Sequence, residues 1–171
     1  RAAVGVSCQD TVYEADYVIS AADYKKTLLK LLDDPNLIPQ ELRDKISAAA
    51  VSEGFFTVYL GLNMSNQELS RYMKVPHVFP LDVQPGYDIY NSEDADFFSK
   101  TTVSLYSPSM VNPRHAPEGK SSLMLQALVP YHWMNNWGGG DKEIYATLKE
   151  KAMEAMIDSA SRLIPGLQEY I

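Results

Sequence analysis

The chain has 171 residues, of which 46% are hydrophobic, 11% aromatic and 22% charged, with a formal net charge of -7. Those fractions lie near globular averages, so a collagen-like repeat, a coiled coil and a disordered tail are excluded, and the length suits one ordinary domain. The acidic balance lacks the clustered Lys and Arg that a nucleic-acid partner needs, and the single cysteine, Cys8, rules out an intrachain disulfide or a cysteine-cluster zinc site. Every apolar run is shorter than the ~20 residues that span a bilayer, and the expected compartment is cytoplasmic.

Arg1 reads as a start in mid-flow, and Ala2 to Ser7 alternates as a half-buried strand through Val4, Val6 and Cys8. Cys8 there is expected to be a small buried hydrophobe. A polar turn at Gln9–Asp10 leads to Val12–Asp16, and Tyr17-Val18-Ile19-Ser20 has the β-branched, apolar character of a buried strand. Asp23 caps a helix carrying Tyr24, Leu28, Leu29, Leu31 and Leu32. Pro39 opens a second helix to Ala50, with Leu42, Ile46 and Ala49 on one face. Phe55 to Leu62 is a strong aromatic and β-branched strand. Ser65 and Glu68 have capping-box spacing, which predicts a helix from Asn66 to about Tyr72.

His77-Val78-Phe79, set between Pro76 and Pro80, is an extended edge piece. Asn91 to Phe98 suggests an acidic helical turn with Ser92 capping and Phe97 or Phe98 as anchor. Thr101–Tyr106 and Ser121–Val129 are the next strands, separated by a loop rich in Pro, Asn and Gly. Trp133 to Gly140 is a polar-aromatic loop ending in three glycines. Asp141 caps the longest helix, with Ile144, Leu148, Ala152, Met156 and Leu163 near one face, and the helical stretch ends by Pro165-Gly166. The order predicts an α+β fold: a mixed, largely antiparallel sheet with helices packed on one face, plus a short strand pair at the start.

No catalytic constellation stands out. Gly138-Gly139-Gly140 lacks the flanking pattern of a phosphate loop, and His77, His115 and His132 are too scattered for a metal site. Ser109 and Cys8 carry no nucleophile signature. Glu93, Asp94 and Asp96 read as a solvated acidic face. The expected catalytic and metal-ligand sets are therefore empty.

Two stretches carry a resemblance. Gly5-Val6 with Glu14-Ala15-Asp16-Tyr17-Val18-Ile19-Ser20-Ala21-Ala22-Asp23 resembles the strand pair returning to the flavin-binding half of phytoene desaturase-like FAD oxidoreductases, within the amine oxidase-like flavoproteins. His77-Val78-Phe79-Pro80, Asp96-Phe97-Phe98, Ser107-Pro108-Ser109 and the run Asn112 to Ser121, then Tyr131–Trp133, are similar to that family's substrate domain. The final helix, ending in Leu163-Ile164-Pro165-Gly166, is similar too.

The resemblance implies the middle of a longer enzyme, with residues 1–24 a remnant of the FAD-binding domain and residues 25–171 the substrate-binding domain. It implies FAD in the full-length parent but not held tightly by this piece, with Ser20, Ala21 and Ala22 at the cofactor. The implied substrate is an apolar polyene or isoprenoid lipid in a tunnel, and peripheral membrane contact of the parent fits such a substrate. Candidate lining residues are Phe55, Val58, Leu60, Met124, Gln126 and Trp133, although strand alternation must place some of them on the wrong face. An exposed apolar face, normally met by the flavin half, is expected, with a dimer through it. The alternatives are a non-catalytic interaction module of similar architecture, or the substrate domain of a flavin amine or porphyrinogen oxidase.

Overall fold

A computed structural model describes residues 3–79, 87–88 and 90–171. Arg1, Ala2 and Pro80, which entered the expectations above, lie outside the described residues. The chain forms two compact units, Arg1–Ala50 and Val51–Ile171. The boundary expected after Tyr24 concerned derivation from a flavin half; by contacts, the helix that follows Tyr24 stays in the first unit.

In the first unit β1 (Gly5–Cys8) and β2 (Thr11–Glu14) form an antiparallel hairpin with Gly5 opposite Glu14 and Cys8 opposite Thr11. Gln9 adopts φ 53 in the two-residue turn, the left-handed geometry that tight hairpins require. A side chain at position 5 would run into the Tyr13 carbonyl, so the close strand approach there needs glycine. The expected half-burial is absent: Val4, Val6, Val12 and Tyr13 are exposed, and so is Cys8. The expected strand at Tyr17–Ser20 does not form either, because no described neighbour offers it a hydrogen-bonding ladder. Tyr17 and Ile19 are left 90% and 93% exposed.

Helix α1 (Tyr24–Lys30) starts at Asp23, whose carboxylate accepts from the Lys26 N–H at 2.7 Å. Helix α2 (Gln40–Ala48) follows Pro39. The Lys25 ammonium donates to the Ser47 and Ala49 carbonyls, closing the open C-terminal end of α2. Of the described residues in this unit only Ile46 is buried. The expected apolar faces of both helices exist in sequence, yet Tyr24, Leu31 and Leu42 remain exposed.

The second unit holds β3 (Gly54–Leu62), β4 (His77–Val78), β5 (Ser104–Tyr106) and β6 (Ser121–Val129) in one antiparallel sheet of order β3-β6-β5-β4. Short helices α3 (Asn66–Leu69), α4 (Phe97–Lys100) and α5 (Pro108–Val111), the turn α6 (Trp133–Gly138) and the long helix α7 (Lys142–Ser161) complete it. The fold is α+β. The capping box forms as expected, Ser65 and Glu68 bonding reciprocally, but α3 ends at Leu69. Ser92 does not cap the acidic turn; Phe97 and Phe98 do anchor α4, both fully buried.

Nine uninterrupted residue pairs join β3 to β6, from Gly54↔Val129 to Leu62↔Ser121. With side chains alternating, one face collects Val58, Leu60, Leu62, Leu123, Leu125 and Ala127, and Leu105 joins from β5. All are buried in a cluster with Ala152, Met156, Ile157 and Ala160 of α7. Ile144, expected in that stripe, is 50% exposed because the first turns of α7 lie against α6 rather than the sheet.

Truncating Leu125 to Ala should remove about 2–5 kcal/mol of stability, through lost transfer energy and the cavity left behind. Tyr59→Ala, next door on the opposite face, should cost less than about 1 kcal/mol. Urea unfolding midpoints of the two variants check this face assignment.

Candidate functional site

The other face of the sheet is assembled by register. Helix α5 packs against β6 at its Ser122 end, where the Ser109 N–H donates to the Ser122 hydroxyl at 3.2 Å. Ser104 on this face is buried, so the exposed part is the β3 side. Tyr59 faces Met124, Met124 faces Tyr106 and Tyr106 faces His77, so one row crosses all four strands. Thr57, Gln126 and Ser104 form the next row, and Phe55 opposite Leu128 begins a third. The β3, β5 and β6 residues on this face include no Asp, Glu, Lys or Arg. Phe55 and Tyr59 are 67% and 74% exposed, far beyond what aromatic strand residues with a covered face would show. The His77 ring sits 4.3 Å from that of Phe79 and 5.5 Å from that of Tyr106, which extends the aromatic surface at the β4 edge.

At the Gly54/Val129 end of the sheet this surface meets a cleft of about 370 Å³, a volume in the range of small-molecule sites. Phe55, Phe56, Tyr131, Trp137, Tyr145 and Lys149 line it. Trp137 stacks on Phe56, centroids 5.2 Å apart and planes 19° off parallel. Its position depends on an unusual backbone. Met134, Asn135, Asn136 and Trp137 have φ of 47, 54, 61 and 60, a left-handed turn built from non-glycine residues.

Each such residue costs about 1–2 kcal/mol, so surrounding contacts must hold the turn in place. Trp133 supplies much of that: it is fully buried and its indole N–H donates to the Asp94 carbonyl at 2.9 Å. The Trp133 ring also meets Phe98 at 5.1 Å and Trp137 at 4.7 Å. The Met134 N–H, in turn, donates to the Ser92 carbonyl at 2.7 Å. The loop expected from Trp133 to Gly140 is thus a hydrogen-bonded turn, and its closing glycines have φ 96, 64 and 93.

Phe55, Met124 and Gln126, three of the six candidate lining residues, share the open face. Val58 and Leu60 do not: alternation turns both into the core beneath α7. Trp133 is a core anchor that steers Trp137 and is not itself a wall. Sequence reasoning missed Thr57, Tyr59, Tyr106 and Leu128. The period-2 pattern held the signal, but selecting the correct phase required the β3–β6 register. Ser20, Ala21 and Ala22 are all exposed, in a segment without regular structure in the first unit. Their small side chains fit close approach of a flat ring edge, but these three alone enclose no flavin.

The titratable groups serve architecture. The Lys100 ammonium donates to both Asp94 carboxylate oxygens, at 2.7 and 3.0 Å, and holds the Asp94 pKa below its ordinary value. The Asp96 N–H and the Tyr87 hydroxyl add bonds to the same carboxylate. Burial, helped by the bond to Asp94, pushes the Tyr87 hydroxyl well above the usual phenol range. Asp94 is therefore a paired anchor beside Trp133, whereas a solvated face was expected. Ser109 is fully buried and spent: its hydroxyl donates to Asn66 Oδ1 at 2.6 Å and accepts from the Ser122 N–H at 2.9 Å. Among the described residues no group of His, Cys, Asp and Glu gathers as metal ligands, and no helix is long and apolar enough to cross a membrane.

No protein-family model matches the chain, and no curated protein matches it.

The depressed Asp94 pKa sets a pH dependence. Its contribution to stability is complete above the ordinary carboxylate value of 3.8 and is lost as pH falls through the lower folded value. Asp94→Asn should destabilise the second unit by about 1–2 kcal/mol at pH 7, and the gap to the parent chain should close at strongly acidic pH. Unfolding curves at pH 7 and below 3 report it. Ser109→Ala, which leaves Asn66 Oδ1 and the Ser122 N–H without the Ser109 hydroxyl, should cost about 1–3 kcal/mol in the same assay with no such pH trend.

Proposed function

We propose that this chain is the substrate-binding part of an FAD-dependent oxidoreductase of the phytoene desaturase-like type, whose open sheet face lays a polyene or isoprenoid lipid against a flavin. The observation that carries the reading is the open face itself: a charge-free row of Tyr59, Met124 and Tyr106, with Phe55 and Leu128 on the same face and Phe55 also lining the Trp137 cleft. A flat hydrocarbon is recognised by such a surface through area and shape, with polar groups few. Gln126 and Thr57 supply neutral hydrogen-bonding groups at the centre of the face, enough to orient a terminal oxygen of the substrate.

Bound FAD supplies the hydride acceptor in this chemistry. The chain's own part is to bind the substrate, hold its length in register with the strands and exclude water. The uncovered hairpin and the bare Tyr17–Ile19 segment supply a second support, since apolar strand residues at such exposure call for a partner, here the flavin-binding part. Under this reading the compartment is the cytoplasm or its membrane surface, where a lipid substrate resides. A flavin amine or porphyrinogen oxidase would need polar groups for a cationic or carboxylated substrate, which this face does not offer.

Retinol, an apolar polyene added from a small volume of ethanol, should quench the tryptophan emission when titrated into the protein. Phe55→Asp and Met124→Lys should weaken that binding by at least about tenfold, since each places a charge where about 2 kcal/mol of apolar contact is lost. Lys142→Glu, on an exposed turn of α7, should leave it unchanged. Quenching that all three variants share equally would remove the open face from the site, and the reading with it.

A further inference from the structure

The two edges of the four-stranded sheet are treated differently. The β4 edge is two residues long and follows Pro76, which blunts it against further pairing. The β3 edge has none of these protections. It runs nine residues, Gly54-Phe55-Phe56-Thr57-Val58-Tyr59-Leu60-Gly61-Leu62, without a charge or a proline. Its register with β6 is unbroken, so no bulge twists it away, and no further described strand pairs with it. Such a strand turns the N–H and C=O groups of alternate residues outward with no partner among the described strands, and only past its end, at Asn63, does an N–H find the Tyr170 carbonyl.

From this edge we infer that two copies of the chain pair β3 to β3 antiparallel, centred on Val58, joining two four-stranded sheets into one of eight. The sequence of the strand is self-complementary about that residue. On the open face Phe55 falls opposite Gly61 of the other copy, and Thr57 opposite Tyr59. On the core face Phe56 meets Leu60, Gly54 meets Leu62, and Val58 meets itself. Each large residue on the open face thus finds a smaller one across the seam. Nothing lies within 4 Å of where a Gly61 side chain would begin, so the space that an incoming Phe55 ring needs is free. An uncharged strand is also the place where two chains of net charge -7 approach with least repulsion. The pairing is isologous and closes at two copies, because the opposite sheet edge is blunted. It uses the edge of the sheet and not its open face, and it stands whether or not the flavoenzyme reading holds.

Sedimentation equilibrium at micromolar concentration should give twice the chain mass. Thr57→Lys, which sets two ammonium groups diagonally across the seam, should return the mass to that of one chain while leaving the far-UV circular dichroism unchanged. In a Cys8→Ser background, mild oxidation of Val58→Cys should link two copies by a disulfide, whereas Leu60→Cys, equally inward but four residues out of register with its own copy, should not link. A single-chain mass for the parent protein, a dimer that Thr57→Lys leaves intact, or linkage at Leu60 in place of Val58 would each overturn the inference.

Discussion

The nine-pair β3–β6 ladder is the constraint on which the second unit rests. Because side chains alternate strictly along a strand, fixing Val58 opposite Leu125 decides the destination of the other sixteen residues in these two strands. One set buries against α7 and supplies most of the core. The other set is then forced outward together, and its composition, aromatic and aliphatic with two neutral polar groups at the centre, becomes the chemistry of the open face. A slip of β3 by a single residue against β6 would bury Thr57 and Tyr59 and strip the core of Val58 and Leu60. Fold and candidate site are thus two consequences of one register.

A second constraint acts at the end of that ladder. The left-handed turn from Met134 to Trp137 is disfavoured residue by residue, yet it aims Trp137 at Phe56 and closes the cleft. Its stability comes from outside the turn, from Trp133 packed under Phe98 and bonded to the backbone of Asp94. Asp94 in turn is held by Lys100 and Tyr87. The charged residues of this region therefore act on the apolar site indirectly, by fixing the backbone that presents its aromatic wall. That arrangement suits a surface that recognises a hydrocarbon by shape.

Much of this was legible in the sequence, and the failures have physical causes. The strands β3 and β6, the caps at Asp23, Ser65 and Asp141 and the antiparallel α+β architecture follow from local pattern, because each depends on neighbours a few residues away. Phe55, Met124 and Gln126 do share one face of the sheet, because the odd positions of β3 and the even positions of β6 fall together in the ladder. Val58 and Leu60 were misplaced because the phase is decided by α7, nearly a hundred residues later in the chain. Trp133 was misread because nothing local reveals that its indole N–H reaches Asp94. The strand expected at Tyr17–Ser20 has the right composition, but a strand exists only with a partner, and among the described residues none is present. The left-handed turn was invisible, since Met, Asn and Trp carry no signal for positive φ comparable to glycine's.

Photolabelling tests most directly whether the open face is the lipid-binding surface. A diazirine-bearing isoprenoid alcohol, irradiated with the protein and mapped by tandem mass spectrometry, should modify Phe55, Tyr59, Met124 and Leu128, with competition by unlabelled retinol. Adducts concentrated instead on Val58, Leu60, Leu125 or the α7 side of the sheet, or scattered labelling that retinol does not compete, would contradict the assignment.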